Sequence, residues 1–257
     1  RAYADRPVSN EVAARVYVRD LEEHAQPADL GVSGHHWCWS GDGTKLLVAN
    51  VELRADSRPE FRHAIVDVQT RQTSELKLPA GHFATDWSAD GDWFLTTSFI
   101  PGEPQPAPGV EPRPGTQVEL VNRDGSMVRR VSAPGQTAVD GRFSPDGRLA
   151  LYTVANREND TGSLHVAKLS GGTPRQITPG LNEEPMGACW SPDGKRIAYV
   201  WRMRHLKPQP GQETESSLAV VDLEGSHLGT LLTEKVLPSG GASSTQGIIR
   251  LMSPDWR

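Results

Sequence analysis

One short pattern recurs along the chain: an aromatic residue, then Ser, then a tight turn ending in Asp-Gly. It stands at Trp39-Ser40-Gly41-Asp42-Gly43, Trp87-Ser88-Ala89-Asp90-Gly91, Phe143-Ser144-Pro145-Asp146-Gly147 and Trp190-Ser191-Pro192-Asp193-Gly194, with a truncated fifth copy at Pro254-Asp255-Trp256. The aromatic anchors are 48, 56, 47 and 66 residues apart. Repetition at that period builds stacked supersecondary units, and the common four-stranded unit of that size is a propeller blade.

Each copy reads as strand, turn, strand. The aromatic closes an apolar strand, Pro or its substitute opens the turn, and Gly takes the positive φ that a side chain resists. An apolar run follows every turn: Leu46-Leu47-Val48-Ala49, Trp93-Phe94-Leu95, Leu149-Ala150-Leu151-Tyr152 and Ile197-Ala198-Tyr199-Val200. A third strand then recurs at Ala64-Ile65-Val66-Asp67-Val68, Val118-Glu119-Leu120-Val121, Leu164-His165-Val166-Ala167 and Leu218-Ala219-Val220-Val221. Short fourth strands are expected after it, as at 128–132 and 174–178.

At the N-terminus, 1–4, 14–20 and 28–30 match the second, third and fourth strands of a blade, without the innermost one. The C-terminus ends in an innermost strand alone, 248–256. Pairing the two terminal segments in one blade closes the ring and removes exposed sheet edges. The fold class is therefore all-β, a β-propeller of four-stranded blades, five by this count, in a single domain over 1–257.

The 257 residues carry a formal net charge of −5. That mild acidity lacks the basic excess that phosphate contacts need, so nucleic acid is not an expected partner. No apolar run reaches the roughly 20 residues that span a bilayer, so no membrane insertion is expected. Nothing at the N-terminus resembles a signal peptide, and a start at Arg1 instead of Met suggests a processed or excised chain. Cys38 and Cys189 occupy equivalent places in different blades, too far apart for a disulfide, and read as small buried apolar residues.

The connections between second and third strands vary most: 52–61, the proline-dense 101–115, 156–162 and 202–216. In an up-and-down blade they emerge opposite the short Asp-Gly turns. Insertions gathered on one face mark the binding face of a repeat protein. The last of them begins Trp201-Arg202-Met203-Arg204-His205, and Trp and Arg are the side chains most enriched in interface hot spots. Trp201, Arg202, Arg204 and His205, extended by Arg58 and Arg62, form the expected partner-binding patch.

His35, His36, His82, Asp140 and Glu184 precede their anchors at places where inner strands would enter the tunnel mouth on that face. Imidazole with carboxylate suits zinc, manganese or iron. The fourth and fifth blades supply no histidine there, so no metal and no other cofactor is expected. Two carboxylates about 5 to 10 Å apart would suit glycoside hydrolysis, but Asp42, Asp90, Asp146 and Asp193 belong to turns. No Gly-x-Ser-x-Gly elbow and no glycine-rich phosphate loop is found, and no catalytic residue is assigned.

With these repeats the chain resembles the TolB-like β-propellers, whose unit reads Trp-Ser-Pro-Asp-Gly-Lys-x-Ile-Ala, over about residues 15–256. Gly41 and Ala89 depart from the usual Pro. The resemblance implies a six-bladed ring, one more than the anchors count, and a periplasmic or cell-envelope location. Its members include scaffold proteins and propeller domains of peptidases. The reading is a non-enzymatic, monomeric scaffold that binds a protein, peptide or glycan on the long-loop face. The alternative is a carbohydrate-active lyase or glycoside hydrolase, dependent on a metal or on carboxylates, with its site in the central tunnel.

Overall fold

The computed structural model describes residues 2–5, 14–19, 26–53, 59–100, 115–156, 161–180, 183–203 and 214–236. Among these residues there is no helix, and the strands form five sheets. The first holds β1 (Ala2–Asp5), β2 (Ala14–Val18) and β3 (Ala28–Gly34). The second holds β4 (His36–Trp39), β5 (Lys45–Leu53), β6 (Pro59–Asp67) and β7 (Thr73–Leu76). The third holds β8 (His82–Trp87), β9 (Trp93–Phe99), β10 (Thr116–Asn122) and β11 (Val128–Arg130). The fourth holds β12 (Thr137–Phe143), β13 (Leu149–Asn156), β14 (Thr161–Lys168) and β15 (Arg175–Gln176). The fifth holds β16 (Glu183–Trp190), β17 (Arg196–Met203), β18 (Thr214–Asp222) and β19 (His227–Val236). In every sheet the strands lie in chain order, which makes each a meander.

The three-stranded first sheet matches the incomplete N-terminal blade expected from the sequence. The closing strand expected at 248–256 lies outside the described residues. Contacts divide the chain into two compact units, Arg1–Phe99 with Glu119–Arg129, and Ile100–Val118 with Arg130–Arg257.

The recurrent turn has one hydrogen-bond plan. In the second sheet the Ser40 hydroxyl donates to Asp42 Oδ1 at 2.6 Å and accepts the Lys45 N–H at 2.9 Å. The same Oδ1 accepts the Thr44 N–H at 3.0 Å. Ser144 with Asp146 and Ser191 with Asp193 repeat this at 2.6 and 2.5 Å, and each hydroxyl again accepts the N–H five residues on. Ser88 and Asp90 pair likewise. Three polar groups satisfy one another around one carbonyl-to-amide turn, so Ser and Asp are required there for backbone reasons.

The anchors tie neighbouring sheets together. The Trp87 indole N–H donates to the Trp39 carbonyl at 2.8 Å, and that of Trp190 to the Arg142 carbonyl at 3.3 Å. Around them sit the apolar cores. Val16, Leu30, Leu46, Val48 and Val66 join the first and second sheets. Leu47, Ile65, Leu76, Ala84, Trp87 and Phe94 join the second and third. Leu151, Leu164, Ile177, Trp190, Ile197 and Tyr199 join the fourth and fifth. Burying one such aromatic or branched side chain contributes about 1.5 to 3 kcal/mol. Cys38 is half-buried, Cys189 is buried, and neither is in a disulfide.

Two features depart from the expected lengths. β5 and β6 pair out to Leu53 and Pro59, and β17 and β18 pair Arg202 with Ser216, so regular ladder replaces the ends of the connections read at 52–61 and 202–216. The fourth strand of the fifth sheet is long: β19 has ten residues, against four, three and two in β7, β11 and β15. Register shifts opposite Leu218/Ala219 and Val220/Val221 leave Leu231 and Leu228 out of step, and both are exposed. Bulges of this kind disturb the regular edge that another strand would pair with.

Candidate functional site

The polar and aromatic side chains that gather most densely do so where the second and third sheets meet, at the ends that carry the long connections. The first residue of β8, His82, lies opposite Ser98 near the end of β9. Glu119 comes from β10 and is buried, as is Ser98. Its Oε2 accepts the Ser98 hydroxyl at 2.5 Å and stands 2.9 Å from His82 Nε2. At that distance the two form an ion pair when the imidazole is protonated. On the other side of the ring, Nδ1 faces the carbonyls of Pro79 and Ala80 at 3.2 and 3.3 Å. Burial works to depress the His82 pKa, but Glu119 and the two carbonyls outweigh it and the net shift is upward.

His63, on β6, is buried, and its Nε2 accepts the Ala84 N–H at 3.0 Å across the two sheets. Burial first, and then the charge of His82, lower its pKa to about 4. Three phenylalanines adjoin. Phe83 meets Phe61 edge-on at 5.4 Å, and Phe61 stacks on Phe99 at 6.0 Å with the rings 24° apart. Phe99 is exposed, and Phe83 also packs against His36 and His63.

The residues singled out in the sequence fall as follows. His36 opens β4 and its Nε2–H donates to the Thr85 carbonyl at 2.8 Å, which stitches the second sheet to the third. His35 is exposed, and its Nδ1 accepts the Val51 N–H at 3.3 Å. Asp140 lies at the bulge of β12 with φ +58°, a conformation Asp tolerates better than most residues. Glu184 and Arg202 are cross-strand partners on β16 and β17, with Oε2 and Nη1 4.0 Å apart, although sequence reasoning had them in separate groups. Trp201 is half-buried and packs against the core of the fourth and fifth sheets. Arg62 is exposed and its Nε lies 3.0 Å from Glu52. Arg58, Arg204 and His205 lie outside the described residues.

Sequence reasoning passed over Glu119, Ser98, His63 and the three phenylalanines. A signal existed for Glu119. Counted back from the following turn, it occupies the place held by Ala64, His165 and Ala219 in the other repeats. A carboxylate in an otherwise apolar strand must find a partner, because an isolated buried charge is costly. Its partners come from β8 and β9 and cannot be read locally.

The chemistry open to this cluster is narrow. The Ser98 hydroxyl is committed to a carboxylate, not to an imidazole nitrogen that would remove its proton, so the trio lacks the order of a nucleophilic triad. Among the described residues no three His, Cys, Asp or Glu side chains lie close enough to hold a metal ion. At the opposite end of the fourth and fifth sheets, a shallow cleft is lined by Pro145, Asp146, Pro192 and Asp193. Both carboxylates there are held in the repeat turns, and their pKa values are lowered first by Ser144 and Ser191.

No protein-family model matches the chain, and no curated protein matches it. Solved structures do. A protein from Agrobacterium tumefaciens described as TolB aligns over 85% of this chain and 74% of its own, with 13% identity and a TM-score of 0.63. TolB from Acinetobacter baumannii aligns over 88% of this chain and 60% of its own, with 16% identity and a TM-score of 0.54. The β-propeller domain of the Trilobed protease from Pyrococcus furiosus aligns over 89% and 67%, with 12% identity and a TM-score of 0.51. The fold is a β-propeller. The similar propellers come from TolB and from a protease alike, so the fold by itself selects no function.

Proposed function

We propose that this chain is a single-domain propeller scaffold without catalytic activity, binding a protein or peptide partner on the face that carries its long connections. The observation that supports this most is the half-buried Phe61 stacked on the exposed Phe99, beside the half-buried His82 and the buried Glu119 that faces it. Stacked aromatic faces are good hot-spot material: they offer large contact area at little cost in side-chain entropy. The opposite ends of the sheets offer short turns whose Ser and Asp are occupied with one another. In this reading Trp201, Arg202, Arg204, His205, Arg58 and Arg62 also take part in partner binding.

The test is partner capture by the full chain and by a Phe61→Ala/Phe99→Ala variant, with bound proteins quantified by mass spectrometry and folding checked by circular dichroism. One or a few proteins retained by the parent and lost by the folded variant are expected. Equal capture by both, or a stoichiometric transition metal in the purified chain together with turnover of acidic oligosaccharides, would overturn the reading.

A further inference from the structure

Two histidines in the cluster between the second and third sheets are surrounded by partners that require opposite protonation states. His82 sees only acceptors. Nδ1 faces the Pro79 and Ala80 carbonyls, and Nε2 faces Glu119 Oε2 at 2.9 Å. A neutral imidazole has one N–H and one lone pair, and either placement of the lone pair would set it against an oxygen. With Glu119 ionised, only the imidazolium fits both sides. His63 is the reverse. Its Nε2 accepts the Ala84 N–H, so that nitrogen must carry a lone pair and the ring must be neutral. Protonating His63 would turn an acceptor into a donor aimed at another donor, in a buried position.

We propose that His63 and His82 form a two-sided pH latch: the joint between the second and third sheets is fully made only while His82 is charged and His63 is neutral. Below that window His63 gains a proton and releases the Ala84 amide of β8. Above it His82 loses its proton, and the buried Glu119 keeps its Ser98 hydrogen bond but loses its facing cation. The strand ends that move are those of β8, β9 and β10, which carry Phe83, Phe99 and the root of the 101–114 connection. The ionisable groups facing the pair are Glu119 on β10 and His36 on β4, with the exposed Arg62–Glu52 pair on β6 and β5 further out. The opposite pKa shifts of the two rings agree with their surroundings. Mutual repulsion sharpens the window, since a charged His82 itself disfavours a proton on His63. The latch does not depend on the partner reading, because it concerns how the sheets hold together whatever they bind.

The direct test is a pH titration of the ring nitrogens in the ¹⁵N-labelled full chain by two-dimensional NMR, with His63→Gln and His82→Gln used for assignment. The unmodified chain should show one ring locked as the neutral Nδ1–H form and one with both nitrogens protonated at the same near-neutral pH. The second measurement is hydrogen exchange at the Ala84 amide, corrected for its intrinsic rate, against the Arg196 amide of the fifth sheet, which is bonded to Ser191 Oγ. A shift from 6.5 to about 4 for His63 corresponds to opening at Ala84 that is more frequent by on the order of a hundredfold across that range, with Arg196 much less affected. Should either variant fail to fold, the exchange comparison in the unmodified chain still decides. All rings titrating together near the ordinary value, or Ala84 and Arg196 losing protection in step, would overturn the latch.

Discussion

Gly225 and Gly43 share a backbone conformation and differ in what surrounds it, so the pair measures what the packing of neighbouring sheets adds to a turn. Both have φ in the left-handed region, +87° and +71°. A Cβ on Gly43 meets nothing within 4 Å, whereas one on Gly225 would come within 2.5 Å of the Ile177 carbonyl oxygen. Gly43→Ala therefore carries only the left-handed cost of an L-residue, about 1 to 2 kcal/mol. Gly225→Ala carries that and a clash with main chain that has no rotamer to escape into, for which overpacking suggests about 1 to 3 kcal/mol more. The expected totals are roughly 1.5 and 3.5 kcal/mol. Urea unfolding followed by tryptophan fluorescence gives both values from the midpoint at constant slope. Each kilocalorie should also lower the melting temperature by about 2 to 4 °C in a chain of this size. Equal losses in the two variants would refute the reasoning, since they would mean that the turn between β18 and β19 does not seat against Ile177.

Further outcomes follow from other contacts. Ser191→Ala removes a buried hydroxyl that both donates to Asp193 and accepts the Arg196 N–H, so it should cost about 2 kcal/mol; Ser40→Ala, the same change in a more exposed turn, should cost about 1 or less, and chemical denaturation compares them. Trp87→Phe keeps an aromatic in the core but strands the Trp39 carbonyl, and a loss of about 1 to 2 kcal/mol in the same assay is expected. Tyr152 is wholly buried, and burial pushes its hydroxyl up to about 12 from 10.0. The folded state thus holds this proton longer than the unfolded one, and the contribution, about 3 kcal/mol, is complete below pH 10 and lost as pH climbs through 12. Tyr152→Phe should flatten that alkaline decline in a series of melting curves, and an unchanged decline would assign it to other groups.

Much of the fold was legible because its determinants are local. Aromatic, Ser, Pro or a substitute, Asp and Gly occupy five adjacent positions, and their hydrogen bonds close within six residues, as from Ser191 to Arg196. The alternation that follows sets which face of each strand is apolar, and in the four-stranded sheets short turns join the first strand to the second and the third to the fourth. The N-terminal set of three strands came from the same template. Strand ends were less legible: where β5 and β6 extend to Leu53 and Pro59, pairing across the sheet carries the ladder into polar sequence that local pattern would assign to a loop.

The candidate site divides along the same physical line. The sequence by itself determined that Asp42, Asp90, Asp146 and Asp193 are turn carboxylates, because their partners are two residues away. It also marked His36 and His82 as histidines at the entry to inner strands. Only the tertiary structure decided what those rings do, since the Thr85 carbonyl that receives His36 lies 49 residues on and the Glu119 that faces His82 lies on another strand of its sheet. The same holds for His63, whose neutral state is imposed by an amide 21 residues away. A turn is encoded by neighbours in the chain, whereas the charge state of a buried ring is set by whichever donors and acceptors packing brings to it, and no short stretch of sequence holds that information.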